Sequence, residues 1–242
     1  MLNFNGVDVP SFVRIKRVEV SALPSLNINL KGNMGGFGSI NGKTTFQEKY
    51  IKALISIIIP SNYSLQKCAR ELAVWLKGNS FDLSPLIIKD DAEIRYMAKV
   101  SNSIDLSDLI YVGEGEIEFV VPSGCGESVK EKTANGTSKA SINYLGSQRA
   151  FPIIEITLGG TASVVTVTNS KKGQSIFLNG AFNLGDKVLI DCDKHLVKVN
   201  GEVHMELIGI TSKFLQLDYG TQDITCSVAN SNTKVTFREK YL

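Results

Sequence analysis

Apolar and polar residues alternate in short runs along most of this chain, and the alternation predicts strands. Leu26-Asn27-Ile28-Asn29-Leu30 changes character at every position. Within 50–59, Ile51, Ala53, Ile55, Ile57 and Ile59 share one parity, so a strand there turns five apolar side chains to one face. Residues 12–20 mix β-branched and basic positions. The runs 86–89 and 94–100 flank the polar 90–93 and predict a hairpin, with Ile94, Tyr96, Ala98 and Val100 inward. One segment has helical spacing instead. Leu65, Cys68, Ala69, Leu72, Ala73 and Leu76 recur at intervals of three and four, after candidate caps at Ser61 and Asn62 and before a closing Gly78.

Between 123 and 150 the residues turn to Gly, Ser, Thr, Lys, Glu and Asn, which marks a domain junction. Strand patterns then resume at 152–158, 163–168, 175–178, 187–191, 195–199, 214–217 and 223–228. Asn200-Gly201 supplies both positive-φ positions of a two-residue hairpin turn. One amphipathic helix among so many strands predicts a mainly β chain. The expected architecture is an N-terminal β-sandwich with one α-helix over 1–130, followed by a jelly-roll-like β-sandwich over 131–232. The Gly-rich stretch 32–38 carries Met34 and Phe37. With Lys43 just beyond, these are the candidate residues of an arm that docks on a neighbouring subunit.

Charge narrows the function classes. The 242 residues hold 26 Lys plus Arg against 24 Asp plus Glu, a net charge of +2 spread evenly over both halves. Tight nucleic-acid binding calls for a clustered basic excess, which is missing. The longest apolar run, 53–59, is broken by Ser56 and stopped by Pro60, whereas a spanning helix needs about 20 residues. No membrane insertion is expected, and no signal peptide is visible at the start. Cys68, Cys125, Cys192 and Cys226 form no CxxC pair, so free thiols are expected rather than a zinc site.

Candidate chemistry is sparse. Gly42-Lys43-Thr44 resembles the end of a P-loop, but the glycine required five residues before Gly42 is Phe37, and a strand pattern follows where a helix is needed. Asp191, Asp193 and His195 share a parity, yet Asp193-Lys194 is expected to turn the chain. A nucleophile would have only His195 or His204 as a histidine base, and no Gly-x-Ser-x-Gly occurs. Glu114, Glu116 and Glu118 fit the solvent face of a strand. No enzyme activity and no cofactor are expected. Phe177, Phe182, Phe214 and Tyr219 are candidate sugar-facing aromatics, since β-sandwiches often carry lectin sites; core packing is their competing use.

The order of features carries more. Phe4-Asn5-Gly6-Val7-Asp8 precedes the Gly-rich stretch and the long strand. Then come Arg70-Glu71-Leu72-Ala73-Val74-Trp75-Leu76, Pro85-Leu86-Ile87-Ile88-Lys89-Asp90-Asp91 and Glu116-Ile117-Glu118-Phe119. The second half adds Gly185-Asp186-Lys187-Val188-Leu189-Ile190-Asp191, Val199-Asn200-Gly201 and Val235-Thr236-Phe237-Arg238-Glu239-Lys240-Tyr241-Leu242. Over essentially the full chain this resembles the distal tail proteins of long-tailed, non-contractile bacteriophages and prophages of Gram-positive hosts.

The resemblance implies a structural virion protein at the tail tip, made in the host cytoplasm. It implies a homo-hexameric hub whose N-terminal β-sandwich, with its helix and β-hairpin arm, rings a lumen that phage DNA crosses without specific binding. A galectin-like sandwich would lie outside the ring, and the last strand, 233–242, would return to complete the N-terminal domain. Implied partners are the tail tube protein on one face and a tail-associated baseplate or fibre protein on the other, with a receptor-binding protein as a further one. The alternative from another class is a carbohydrate-binding module for host cell-wall glycan, resting on the four aromatics above.

Overall fold

The alternating runs condense into two apolar cores. The computed structural model describes residues 2–32, 37, 39–61, 63–78, 82–102 and 114–242, and the chain divides into one unit of Met1–Val129 with Leu242 and another of Lys130–Tyr241. It is mainly β, with one α-helix among the described residues.

The first unit contains β1 (Leu2–Phe4), β2 (Val7–Asp8), β3 (Val13–Val20), β4 (Leu26–Gly32), β5 (Ser39–Phe46), β6 (Lys49–Ile57), α1 (Leu65–Lys77), β7 (Ser84–Ile88), β8 (Ile94–Val100), β9 (Gly115–Val121) and β10 (Gly126–Ser128). An antiparallel sheet runs in the order β2-β1-β7-β8-β9-β6-β3, and β10 adds to β8. Ile51, Ala53 and Ile55 of β6 and Ile117 and Phe119 of β9 are buried, with Leu2, Phe4 and Leu86 in the same core. On the opposite parity, Lys52 meets Glu116 at 2.9 Å and Glu118 at 3.5 Å, the solvent-facing acids expected of that strand.

Two local corrections follow from packing. β6 begins one residue before the predicted run and stops at Ile57, so Lys49 joins the inward parity and Ile58 and Ile59 stay exposed. Burial pushes the Lys49 ammonium pKa down, and its charge lies 5.7 Å from the Tyr96 ring centroid, within cation–π range. In α1 the N-cap is Ser64, whose hydroxyl accepts from the Lys67 N–H at 3.3 Å, rather than Ser61 or Asn62 (Asn62 lies outside the described residues). The buried stripe is Cys68, Leu72 and Trp75, with Ala73 exposed. Trp75 turns the stripe because its indole N–H donates to the Val7 carbonyl at 3.1 Å and its ring packs edge-on to Phe4.

The second unit contains β11 (Lys132–Thr137), β12 (Lys139–Tyr144), β13 (Ile153–Thr157), β14 (Ala162–Asn169), β15 (Gln174–Phe182), β16 (Lys187–Asp191), β17 (Leu196–Val199), β18 (Glu202–Val203), β19 (Gly220–Cys226), β20 (Asn232–Phe237) and β21 (Lys240–Tyr241). Two sheets, β11-β20-β13-β16-β17-β18 and β12-β19-β14-β15, enclose a core that includes Ile142, Ile154, Val167, Leu178, Ile190 and Val235. Such a pair is a β-sandwich. Asn200 and Gly201 take φ of 50° and 93° in the turn between β17 and β18, as Asn-Gly predicted. All four cysteines are free and buried.

Three features of this unit were not read from the sequence. The stretch 123–150 contains the division between the units, after Val129, and also holds two full strands that its polar composition did not predict, β11 and β12, joined at Ser138 with φ 56°. The run 214–217 forms no strand beyond one bridge from Leu217 to Ala150. Most consequential, β20, which holds the first half of the expected terminal strand 233–242, pairs within the second unit. Val235 of β20 pairs with Ala134 of β11 on one side and Ile154 of β13 on the other. Val235 and Phe237 do face a core, as their parity required, but it is the second core, with Phe237 5.9 Å from Tyr144. Beyond β20, the carboxylate of Glu239 is 2% exposed and accepts from Lys132 at 2.8 Å, the Tyr241 hydroxyl at 2.7 Å and the Leu145 N–H at 3.1 Å.

Removing 232–242 should therefore expose amides of β11 and β13 to hydrogen exchange while 49–57 stays protected. Loss of protection confined to 49–57 would restore the strand to the first unit. A second expectation concerns acid. Burial alone would raise the Glu239 pKa, but its hydrogen bonds outweigh that and hold it below the usual 4.5. A depressed carboxyl pKa gives stability that is present above the unfolded value and lost as pH falls through the folded one. The second unit should lose thermal stability below about pH 4.5, and Glu239→Gln should lower stability at neutral pH by about 1–3 kcal/mol while flattening that acid limb in calorimetry.

Candidate assembly surface

β4 and β5 pair with each other in a two-stranded sheet apart from the main one. Their register sets Leu26 opposite Phe46, Asn27 opposite Thr45, and Ile28 opposite Thr44. Alternation along β4, with Phe46 opposite Leu26, then sorts the ribbon into an apolar face of Leu26, Ile28, Leu30 and Phe46 and a polar face that includes Asn27, Asn29 and Lys31. Every residue of β4 is exposed, and Ile28, Leu30 and Phe46 are 53%, 59% and 50% accessible. A bulge lies between Ile28 and Leu30. There Gly42 is required, because a Cβ on it would stand 2.5 Å from the Asn29 carbonyl oxygen.

The base of this hairpin is clamped. Ser25 donates its N–H to the Glu48 carbonyl at 3.1 Å, and Gln47 donates to the Ser25 carbonyl at 2.8 Å. Gly124, at φ +68°, packs so close that a Cβ would come within 2.4 Å of the Gln47 carbonyl oxygen. An apolar ribbon is thus held out from a fixed root. β3, at the edge of the main sheet, is protected differently. It carries Arg14, Lys16, Arg17 and Glu19 and a bulge between Ile15 and Arg17, devices that discourage edge pairing.

Of the sequence-predicted arm residues, Met34 lies outside the described residues, Phe37 is fully exposed and Lys43 is exposed on β5. Gly42-Lys43-Thr44 lies within a strand, so no helix follows it to cradle phosphate. The hairpin's exposed apolar face, at Leu26, Ile28, Leu30 and Phe46, was visible in the sequence only as a strand. The signal that marks it is apolar alternation on a segment with no further partner strand among the described residues. The four candidate sugar-facing aromatics do not converge. Phe182 is buried in the core, Phe177 is half-buried on β15, and Phe214 packs 4.7 Å from the His195 ring. Tyr219 alone of the four is largely exposed. Phe182 cannot meet a sugar, because its parity follows Ile176 and Leu178 into the sandwich. Asp191 accepts from the N–H groups of Asp193 and Lys194 at 3.1 and 3.0 Å, which makes it a turn residue. Among the described residues no three His, Cys, Asp or Glu side chains gather as metal ligands.

Comparison with known proteins gives this surface its setting. Residues 14–121 match the family model of the phage tail protein RIFT-related domain, and residues 145–241 match that of the siphovirus-type tail component, C-terminal domain. No curated protein matches. Among solved structures, the SPP1 Dit protein, described as a paradigm of hub adsorption apparatus in Gram-positive infecting phages, superposes with a TM-score of 0.82 at 14% identity, over 100% of this chain and 98% of its own. Two structures of the phage p2 baseplate in its activated conformation, with Ca and with Sr, give TM-scores of 0.45 and 0.46 at 8% and 9% identity, each over 93% of this chain and 90% of theirs. The two family models between them span most of the chain in the expected order, and the chain belongs to the siphovirus-type tail components, the family of the phage distal tail proteins.

Proposed function

We propose that this chain is the structural hub of a long-tailed phage tail tip, a homo-hexameric ring in which the β4–β5 arm of each copy docks on the next. The observation that carries the proposal is the arm's uncovered apolar face. A contiguous apolar patch on a clamped, protruding ribbon is a contact waiting for a protein surface. Arm-to-body contacts are heterologous, and heterologous contacts close into rings when the rotation permits. The role of SPP1 Dit as a hub supports the same reading, as does the family.

The tail tube protein on one face and a baseplate or fibre protein on the other are the partners of such a hub, and a virion tail tip is its location. The net charge of +2 suits a lumen that DNA crosses without being trapped, because phosphate binding scales with the cations brought to bear. The role is structural, with no catalytic step.

Ile28→Asp with Phe46→Asp should leave the protomer folded, each change shifting stability by about 0.5 kcal/mol or less because both sites are on the surface. Ile55→Asp, by contrast, places a charge in the first core and should unfold that unit. Native mass spectrometry, with and without the tail tube partner, should show hexamers for the unaltered chain and protomers for the double variant. A double variant that assembles like the unaltered chain would refute the arm's role.

A further inference from the structure

A second surface, in the other unit, has the marks of a ligand site. Ser147, Gln148, Arg149, Lys172, Asp218 and Tyr219 line a cavity of about 430 Å³, within the size range of small-molecule sites. The Tyr219 side chain is 67% exposed. Arg149 is exposed, hydrogen-bonds through its backbone N–H to Gln148 Oε1, and has no ion pair among the described residues. Lys172 meets Asp218 at 2.6 Å, and the Lys171 ammonium donates to the Tyr219 carbonyl. The lining therefore carries two cations, Arg149 and Lys172, against one carboxylate, with Lys171 held beside Tyr219.

This rim stands on a buried polar network. Asn169, fully buried, donates through Nδ2 to the Gln216 carbonyl at 2.8 Å and to Gln222 Oε1 at 2.9 Å, while its Oδ1 accepts from the Lys171 N–H at 3.1 Å. Gln222, also buried, donates to the Asp218 carbonyl at 2.8 Å, and Gln174 Oε1 accepts from the Gln216 N–H at 3.0 Å. Buried amides that satisfy one another rigidify what they touch. Here they fix two of the three segments that line the cavity, the one with Lys172 and the one with Asp218 and Tyr219, while the third is held by backbone bonds from Gln148 to Lys240 and between Ala150 and Leu217.

We infer that this cavity binds an anionic saccharide, a sugar ring bearing a carboxylate or a phosphate. An exposed tyrosine ring offers an apolar face to the C–H face of a pyranose, with a hydroxyl for its edge. Arg149 supplies a planar fork for the anion, and Asp218 and Gln148 supply acceptors for sugar hydroxyls. An uncharged sugar would leave the cationic excess unanswered.

The test uses the full chain and isothermal titration with three probes: a galacturonic acid trisaccharide, galactose 6-phosphate and neutral galactobiose. The charged sugars should bind and galactobiose should bind about tenfold more weakly or not at all. Tyr219→Ala and Arg149→Gln should each weaken binding about tenfold, Tyr219→Phe should keep it, and Lys198→Gln on β17 should change nothing. Because these positions are on the surface, thermal midpoints should not move. Binding that survives Tyr219→Ala and Arg149→Gln, equal binding of all three probes, or no binding of either charged sugar would overturn the inference. So would titration with tetraglutamate in which the acidic peptide binds and the sugars do not, which would assign the site to a protein partner. None of these outcomes depends on ring assembly, so the hub reading stands or falls separately.

Discussion

A two-stranded ribbon has two faces and no sheet behind it, so its apolar side chains leave water only when another surface covers them. That constraint governs the β4–β5 arm. Leu26, Ile28, Leu30 and Phe46 line up on one face by register, and the ribbon's isolation from the main sheet leaves them wet. Isolated two-stranded hairpins are marginal in water, and the clamp at its base, from Ser25, Gln47 and Gly124, fixes where this one leaves the body. Apolar area presented on a fixed root is a stronger argument for assembly than the same area on a loose loop, because less conformational freedom is lost on docking.

The rest of the first unit supports that presentation. β6 runs through the sheet with Ile51, Ala53 and Ile55 inward, and it begins three residues after β5 ends, so the core strand and the arm share a short connection. At the edge, β3 shows charges where the arm shows hydrophobes. One exposed segment thus discourages contact while another invites it. The second unit builds a separate core. Its sandwich is closed by β20 between β11 and β13 and tied at the end of the chain by Glu239, and its outward loops are held by buried amides.

Elements whose signals were local could be read from sequence. Gly78 ends the helix because its spacing says so, and Asn200-Gly201 turns because few other pairs tolerate two positive φ angles. The inward set on β8 followed from period two. What stayed hidden was set by distant partners. Alternation showed that Val235 and Phe237 face a core but carried no information on which core, since that depends on pairing with residues about a hundred positions earlier. β11 was invisible because Lys132-Thr133-Ala134-Asn135-Gly136-Thr137 has little apolar character and gains its strand from β20. Among the aromatics, Phe182 was excluded by a parity already present in Ile176 and Leu178. Tyr219 stands on a loop, where period gives no guide. The arm was legible as a strand with a Gly-rich turn; that no described residue covers its apolar face became visible only from the pairing of the main sheet without it.

The central claim is that the arm's apolar face is buried between copies, and hydrogen–deuterium exchange of the unaltered chain tests it most directly. The amides of 26–32 and 39–46 should exchange fast in dilute protomers and slow strongly in the assembled ring, while those of 49–57 stay slow in both. Arm amides that exchange at the same rate in protomer and ring would contradict the account.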